Sequence, residues 1–340
     1  MANMVNVMNT ILDNASEQYQ SRVPEATKDN IAEVGSAIMA YQATENEFLT
    51  ALVNKIAMTI VRAKTFKNPL SILKKGNVPL GKNIEEIYTN PATGKTYDPS
   101  GAELLNREIP DTKAIYHSMN RQGKYKATVS KAQLITAFTS WEAMEKLLNS
   151  IVNSIYSGDN MEEFLLMKEL FATAITGGKM KTVDVTAPTD TVTAKDFVKS
   201  IKKIGLGMTV PSEAYNSYYD INKDTDAKPV ITWTPMENQI LIMRNDVSVE
   251  IDMELLAQAF NVSYAELKQR ILLVDSFGTD TDTLAVLCDE SYIQVYDNLQ
   301  QMDSFRNPEG LYENFILHHW QTYSLSLFAN AMAFRAPATT

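Results

Sequence analysis

The sequence predicts an α+β fold with one large excursion, and three observations carry that prediction. Apolar residues recur at three- and four-residue spacing through most of the first half, whereas β-rich runs alternate with helical patterns after about residue 230. Residues 67–125 fit neither pattern, since five prolines and five glycines punctuate them and no apolar run is long enough to fill a core. A structureless loop of that length inside a compact domain is improbable, so the stretch is either disordered or an arm that packs on another subunit.

Composition sets the outer bounds. The chain has 340 residues, 45% of them hydrophobic and 21% charged, and a mean hydropathy of -0.19, the profile of a folded protein with a substantial core. Its net charge of -10 excludes a uniform attraction for nucleic acid or anionic membranes and leaves room for a local basic face. The single cysteine, Cys288, rules out an internal disulfide framework, and its setting in Leu284-Ala-Val-Leu-Cys288 reads as a buried strand with an inert thiol. No secretory signal pattern opens the sequence, and no stretch approaches ~18 uninterrupted apolar residues.

In chain order, Val5, Met8, Ile11 and Leu12 suit a short amphipathic helix ended before Pro24. Residues 31–63 read as two helices, the first carried by Ile31, Val34 and Ile38 and the second by Phe48, Leu49, Leu52, Ile56 and Ile60. The arm follows, with an expected tip at Asn90-Pro91-Ala92-Thr93-Gly94 and two limbs of about 25 residues. Ser130 is the expected cap of a helix through Leu134, Phe138, Trp141, Met144, Leu148, Ile151 and Ile155. The polar run Ser157-Gly158-Asp159-Asn160 should interrupt it, and a second helix should end at Gly177-Gly178. Residues 181–193 read as a loop or domain crossover, and Phe197, Ile201 and Ile204 as a helix ended by Gly205. Strands are expected at 230–233, 240–243, 271–275, 283–288 and 311–325, with 328–334 continuing the last or closing the core, and helices at 252–260 and 263–269.

The residues offer little chemistry. His318 and His319 are adjacent on an expected strand and so face opposite ways, and His117 lies in the arm; none has the spacing of a metal site. Asp280-Thr281-Asp282 lacks the glycine and terminal glutamate of a calcium loop, and Gly94-Lys95-Thr96 lacks the first glycine of a phosphate loop. No catalytic or cofactor constellation is expected. The run Leu255-Leu256-Ala257-Gln258-Ala259-Phe260-Asn261-Val262-Ser263-Tyr264-Ala265-Glu266-Leu267-Lys268 mimics a helix-turn-helix reader, the basis of an alternative reading as a sequence-specific DNA-binding regulator. Its second helix opens on Ser-Tyr-Ala-Glu rather than on basic and amide side chains, which favours a plain helical hairpin.

Several runs resemble the major capsid protein of phi-29-like short-tailed phages. They are Ile31-Ala-Glu-Val-Gly35, Asn68-Pro-Leu70, the stretch KKGNVPLGKNIEEIYTN from Lys74 to Asn90, Asn120-Arg-Gln-Gly123 and Thr139-Ser-Trp141. Leu256-Ala-Gln-Ala-Phe-Asn261, Val295-Tyr-Asp-Asn-Leu299, Arg306-Asn-Pro-Glu-Gly-Leu-Tyr312 and Phe328-Ala-Asn-Ala-Met-Ala-Phe334 continue the similarity in the same order. The resemblance implies a Hong Kong 97-type capsid fold with an N-terminal arm (1–45), a linking helix (46–65), an extended β-hairpin E-loop (66–126), a peripheral domain with a spine helix (127–189 and 301–340), and an axial domain (190–300). The phi-29 relative carries a further immunoglobulin-like domain past the position of Thr340, whose function is not carried over. The implied function is self-assembly into pentamers and hexamers of an icosahedral or prolate head in the virion. The implied partners are scaffolding protein, portal protein and, by weak non-specific contact, double-stranded DNA, with no membrane. Charge and expected exposure make Lys74, Lys75, Lys82, Glu85, Glu86, Asn120, Arg121 and Gln122 candidate inter-subunit contacts, and Gly76, Gly81 and Gly123 candidate hinges.

Overall fold

A computed structural model describes residues 2–58, 66–97, 99–101, 105–223, 228–251 and 270–336. The chain divides into two compact units. The first comprises Met1–Asn68, Arg121–Glu163 and Asp297–Gln321, and the second Pro69–Asn120, Phe164–Tyr296 and Thr322–Thr340.

The first unit is built around helices. Helices α1 (Ala2–Asp13), α2 (Glu17–Gln20), α3 (Ile31–Met39) and α4 (Gln42–Met58) lead in. Their apolar stripes bury Met4, Met8, Ile11, Val34, Ile38, Phe48 and Leu52 against Leu134, Phe138, Trp141 and Met144. The expected Ile60 lies outside the described residues. Strand β4 (Arg121–Ser130) runs into α5 (Lys131–Ala137), where Ser130 and Gln133 form a reciprocal capping box. Close packing reaches backbone distance at Gly35 on α3, where an added Cβ would lie 2.4 Å from both Cβ and Cγ of Phe138.

Helix α6 then runs unbroken from Trp141 to Thr176, 36 residues. The interruption expected at 157–160 does not occur, because those polar side chains have partners other than their own backbone. Ser157 Oγ accepts from the Phe66 amide at 3.1 Å and Asn160 donates to the Phe66 carbonyl at 2.8 Å. Asp159 is buried, and its bonds are described below. The helix stops at Gly177-Gly178 as expected.

Strands β9 (Ile293–Asn307) and β10 (Tyr312–Leu325) form, with β1 (Lys74–Asn77) and β4, a four-stranded sheet of order β1-β9-β10-β4. Strand β9 is not among the expected strands, since from Asp297 to Asn307 it is mainly polar and partly exposed, with Leu299, Met302 and Phe305 three residues apart rather than alternating. β10 pairs antiparallel with β4 from Tyr312↔Ser130 to Gln321↔Arg121.

The second unit holds a five-stranded sheet of order β5-β11-β8-β6-β7, made of β5 (Lys181–Asp184), β6 (Gln239–Arg244), β7 (Ile271–Val274), β8 (Thr283–Asp289) and β11 (Ala331–Arg335). Its central strand is buried on both faces, which explains the uninterrupted apolar run there. Leu241, Met243, Ala285, Leu287 and Phe334 face helix α7 (Thr191–Met208), while Ile242, Val286, Cys288 and Ala333 face Met167, Phe171 and Phe277. Cys288 is fully buried, and burial raises its thiol well above the ordinary range. β5 replaces part of the expected 181–193 loop. Helix α7 continues past Gly205 to Met208, the glycine there making room for Gln239. Residues 230–233 give only an isolated bridge, Ser212↔Thr232. Short helices α8 (Tyr218–Asn222) and α9 (Asn245–Glu250) also belong to this unit. The helices expected at 252–260 and 263–269, and with them the regulator-like hairpin at 255–268, lie outside the described residues.

Gly35→Ala should destabilise the chain by roughly 1–3 kcal/mol, since overpacking at a buried Phe Cβ outweighs the ~1 kcal/mol helix-propensity gain. Thermal unfolding checks this, and an unchanged or raised midpoint would contradict the packing.

Candidate inter-subunit hairpin and its anchoring

The excursion is a hairpin with a docked root and an exposed tip. Strand β2 (Ile84–Thr89) pairs antiparallel with β3 (Thr112–His117), from Ile84↔His117 to Thr89↔Thr112. Paired residue numbers sum to 201 throughout, so the register is centred between Ser100 and Gly101. The expected tip at Asn90–Gly94 therefore lies at the start of the tip segment rather than at its apex. Regular pairing covers six residues per limb, not about 25. The Asn90 amide still bonds the Asp111 carbonyl at 2.9 Å, and farther out Lys95 pairs with Glu108. Every described residue from 91 to 110 is exposed, with Tyr97, Leu105 and Ile109 at 86–92%.

Alternation sorts the root into two faces. Outward lie Glu85, Ile87, Thr112, Ala114 and Tyr116, where the Tyr116 hydroxyl donates to Glu85 at 2.8 Å. Inward lie Glu86, Tyr88, Lys113, Ile115 and His117. Tyr88 donates to the Ile231 carbonyl at 2.6 Å, and its ring stacks 5.6 Å from Phe328. Asn90 donates to the Pro229 carbonyl and accepts from the Ile231 amide, at 2.8 and 3.0 Å. Glu86 is the central tie. One carboxylate oxygen accepts from Ser326 at 2.6 Å and the other lies 3.1 Å from Nε2 of the buried His117, whose Nδ1 is 2.7 Å from Ser324 Oγ. Asp111 takes bonds from Lys113 and Asn90, which hold its carboxyl below the usual range.

The candidate contacts separate accordingly. Glu85, Lys75, Lys82 and Gln122 are exposed, and the Lys75 ammonium donates to the Glu290 carbonyl at 2.6 Å. Lys74 is half-buried at the start of β1. Glu86 is engaged within its own chain, and so is Asn120, which holds both the N–H and the C=O of Tyr323 at 2.8 Å. Arg121 is buried, contrary to the exposure expected of it. Among the candidate hinges, Gly76 (φ +116°) and Gly81 (φ +79°) occupy backbone that other residues rarely adopt, with open space around them. Gly123 is different: it sits on β4 opposite His319, where a Cβ would meet the His319 carbonyl at 3.0 Å and the Tyr125 ring at 3.3 Å.

Arg121 belongs to a buried polar network in the first unit that the spacing of the histidines does not announce. His319 is clamped between carboxylates, with Nδ1 2.7 Å from Asp159 and Nε2 3.0 Å from Asp297. Gln321 donates to both Asp297 and Glu163 at 2.7 Å, and Asn68 donates to Glu163 at 2.7 Å. The Arg121 guanidinium bonds Gln321 and Tyr125 and lies 3.4 Å from Asp159. Burial pulls the His319 pKa down, but the hydrogen bonds and charges of Asp159 and Asp297 outweigh it and raise the value to about 9. At neutral pH both ring nitrogens therefore carry protons and donate. Glu163, Asp297 and His319 each bring a potential metal-ligand atom within 4.8 Å of the others. A cation would have to displace the His319 proton and the Gln321 amide, so the arrangement works as a closed hydrogen-bond network. The signal for it lies in β10, whose odd-numbered positions 313–325 are all buried and place His319 and Gln321 on an otherwise mainly apolar face.

Comparison with known proteins decides the family. A profile described as Phi29-like phage major capsid protein matches residues 8–335. The chain belongs to that family. The match runs through 255–268, and nothing supports the alternative of a DNA-binding regulator. Relatives include the major capsid protein of Bacillus phage PZA, 38% identical over 96% of this chain and 72% of the relative, and that of Streptococcus phage Cp-1, 31% identical over 96% and 92%. The capsid structure of Staphylococcus phage Andhra superposes with a TM-score of 0.64 at 15% identity, covering 82% of this chain and 86% of that one. A chain from a structure of bacteriophage P68 gives 0.60 at 14% identity. The fold of the family member is thus the α+β, Hong Kong 97-type capsid fold.

The folded pKa of His319 exceeds its ordinary value of 6.5. Its contribution to stability, on the order of 3 kcal/mol, should thus be fully present below pH 6.5 and lost as pH rises through about 9. Unfolding midpoints measured across that window check this, and Asp159→Asn should begin losing stability at lower pH. Glu86→Ala leaves the buried His117 without its carboxylate and should cost about 1–3 kcal/mol. It should also speed amide exchange in 112–117 selectively; exchange unchanged there would remove the anchoring role.

Proposed function

We propose that the chain is the subunit of a phage head, assembling with copies of itself into pentamers and hexamers of a closed shell in the virion. The observation that carries this reading, beside family membership, is the hairpin tip: of the residues described between 91 and 110, Tyr97, Leu105 and Ile109 are 86–92% exposed. An exposed apolar segment on a tied root is suited to lie over a neighbouring subunit, and a closed shell gives every copy such a neighbour.

In this reading the protein is a structural component and not an enzyme. Residues 1–45 serve as the N-terminal arm, 46–65 as the linking helix and 66–126 as the E-loop. Residues 127–189 with 301–340 form the peripheral domain, and 190–300 the axial domain. The exposed candidates Lys75, Lys82, Glu85 and Gln122 are offered as inter-subunit contacts, and Gly76 and Gly81 as the points where the hairpin changes tilt. Scaffolding protein during assembly, a portal at one vertex and packaged double-stranded DNA are the further partners. Glu86, Asn120 and Arg121 act one step back, holding the root in place.

Replacing residues 91–110 with a short turn should leave a folded chain with near-native circular dichroism and abolish shells in the electron microscope. Normal particles from that variant would remove the tip from assembly.

A further inference from the structure

Helix α7 presents a basic stripe that no part of the foregoing account uses. Lys195, Lys199, Lys202 and Lys203 are all exposed, while Phe197, Val198, Ile201, Ile204 and Met208 on the opposite side are buried in the core. At 100° per residue the four lysines fall within about 100° of the helix circumference, and at 1.5 Å per residue they extend over about 12 Å. The helix carries one acidic residue, Asp196, which pairs with Lys199 at 2.9 Å with both side chains largely exposed. Among the described residues Lys195, Lys202 and Lys203 have no ion-pair partner. A stretch with a net charge of +3 thus stands on a chain of net charge -10.

We infer that this face of α7 contacts the phosphate backbone of double-stranded DNA without reading its sequence. The inference rests on the shell reading, which supplies the DNA. Charge complementarity argues for it. About 12 Å of duplex carries roughly seven phosphates, so four ammonium groups along one line neutralise about half of them. Lysine acts as a point charge on phosphate and carries no base readout, which suits a wall that must hold any sequence. A protein partner would call for different residues, since interface cores are depleted in lysine and enriched in aromatic anchors. Here the apolar side chains exposed on this helix are Val192 and Leu206, one near each end. The acidic remainder of the chain keeps the contact weak, so packaged DNA stays mobile.

The test uses the unassembled full-length chain and a labelled mixed-sequence duplex of about 24 base pairs, with affinity measured by anisotropy from 50 to 200 mM NaCl. The variant carries Lys195→Gln, Lys199→Gln, Lys202→Gln and Lys203→Gln together. Its slope of log affinity against log salt should be shallower by about 3 to 4, and Lys199→Gln alone should lower the slope by about 1. A control with Lys28→Gln, Lys124→Gln, Lys126→Gln and Lys146→Gln has the same net charge and should change the slope by less than about 1. Equal effects in the two quadruple variants would reduce the stripe to bulk charge and overturn the inference. So would an unchanged slope in the α7 variant, or loss of binding to polyglutamate with DNA binding retained, which would mark an acidic protein as the partner. Particle formation by the unaltered chain, scored by microscopy, tests the shell reading separately.

Discussion

The first unit depends on one buried imidazolium. His319 on β10 holds Asp159 of the long helix on one side and Asp297 of β9 on the other. Removing either carboxylate would leave a charge in a low-dielectric interior, where an unpaired ion is far costlier than the pair is stabilising. Geometry around it follows. Gly123 is small because the strand facing His319 must lie close to its carbonyl and to Tyr125. Gly158 on the helix likewise leaves space for the Tyr125 ring, 3.6 Å from where a Cβ would sit. Gln321, one pleat along from His319, spreads the carboxylate pairing to Glu163, and Glu163 reaches Asn68 just before the chain leaves for the hairpin.

The hairpin applies the opposite economy. Its root is fixed by short-range polar ties from Glu86, Asn90 and Asn120 to backbone and hydroxyl groups, together with the Tyr88–Phe328 stack. Beyond residue 90 no described side chain is buried until Lys113. The tip thus keeps its apolar residues in water, a cost that the proposed shell removes by burial between subunits. Fixed root and exposed tip are complementary. A contact made far from the body is specific only when the base from which it projects is held in one direction.

Much of this was legible in residue patterns, and the failures share a cause. Helical periodicity placed α3 and α4, Ser130 announced the cap of α5, and Gly177-Gly178 marked the end of α6. The apolar run ending at Cys288 marked the doubly covered strand β8. Each of these signals is local. The helix break expected at Ser157-Gly158-Asp159-Asn160 is absent because tertiary partners, Phe66 and His319, override the local preference of polar residues for turns. Strand β9 went unread because the stretch from Asp297 to Asn307 is recruited by pairing rather than by apolar alternation. The same holds for the polar network, whose members Asn68, Arg121, Asp159, Asp297 and His319 are scattered through the sequence and meet only in the fold. Arg121 looked like a surface charge because a guanidinium is seldom buried unless several partners converge on it.

The constant register of the hairpin has a consequence for how such subunits diversify. Pairing is mirror-symmetric about Ser100–Gly101, and the two faces of the root alternate residue by residue. Residues added or removed beyond Asn90 and Asp111 leave the paired root and its inward and outward faces unchanged. The projection is thus adjustable in reach, by up to about 3.3 Å for each residue added to both limbs. Its length can be reset in the tip, where every described residue from 91 to 110 is exposed, while Glu86, His117 and Asn120 keep their places. In the proposed shell, the contact between subunits can then be retuned by editing a segment that lies outside the paired root.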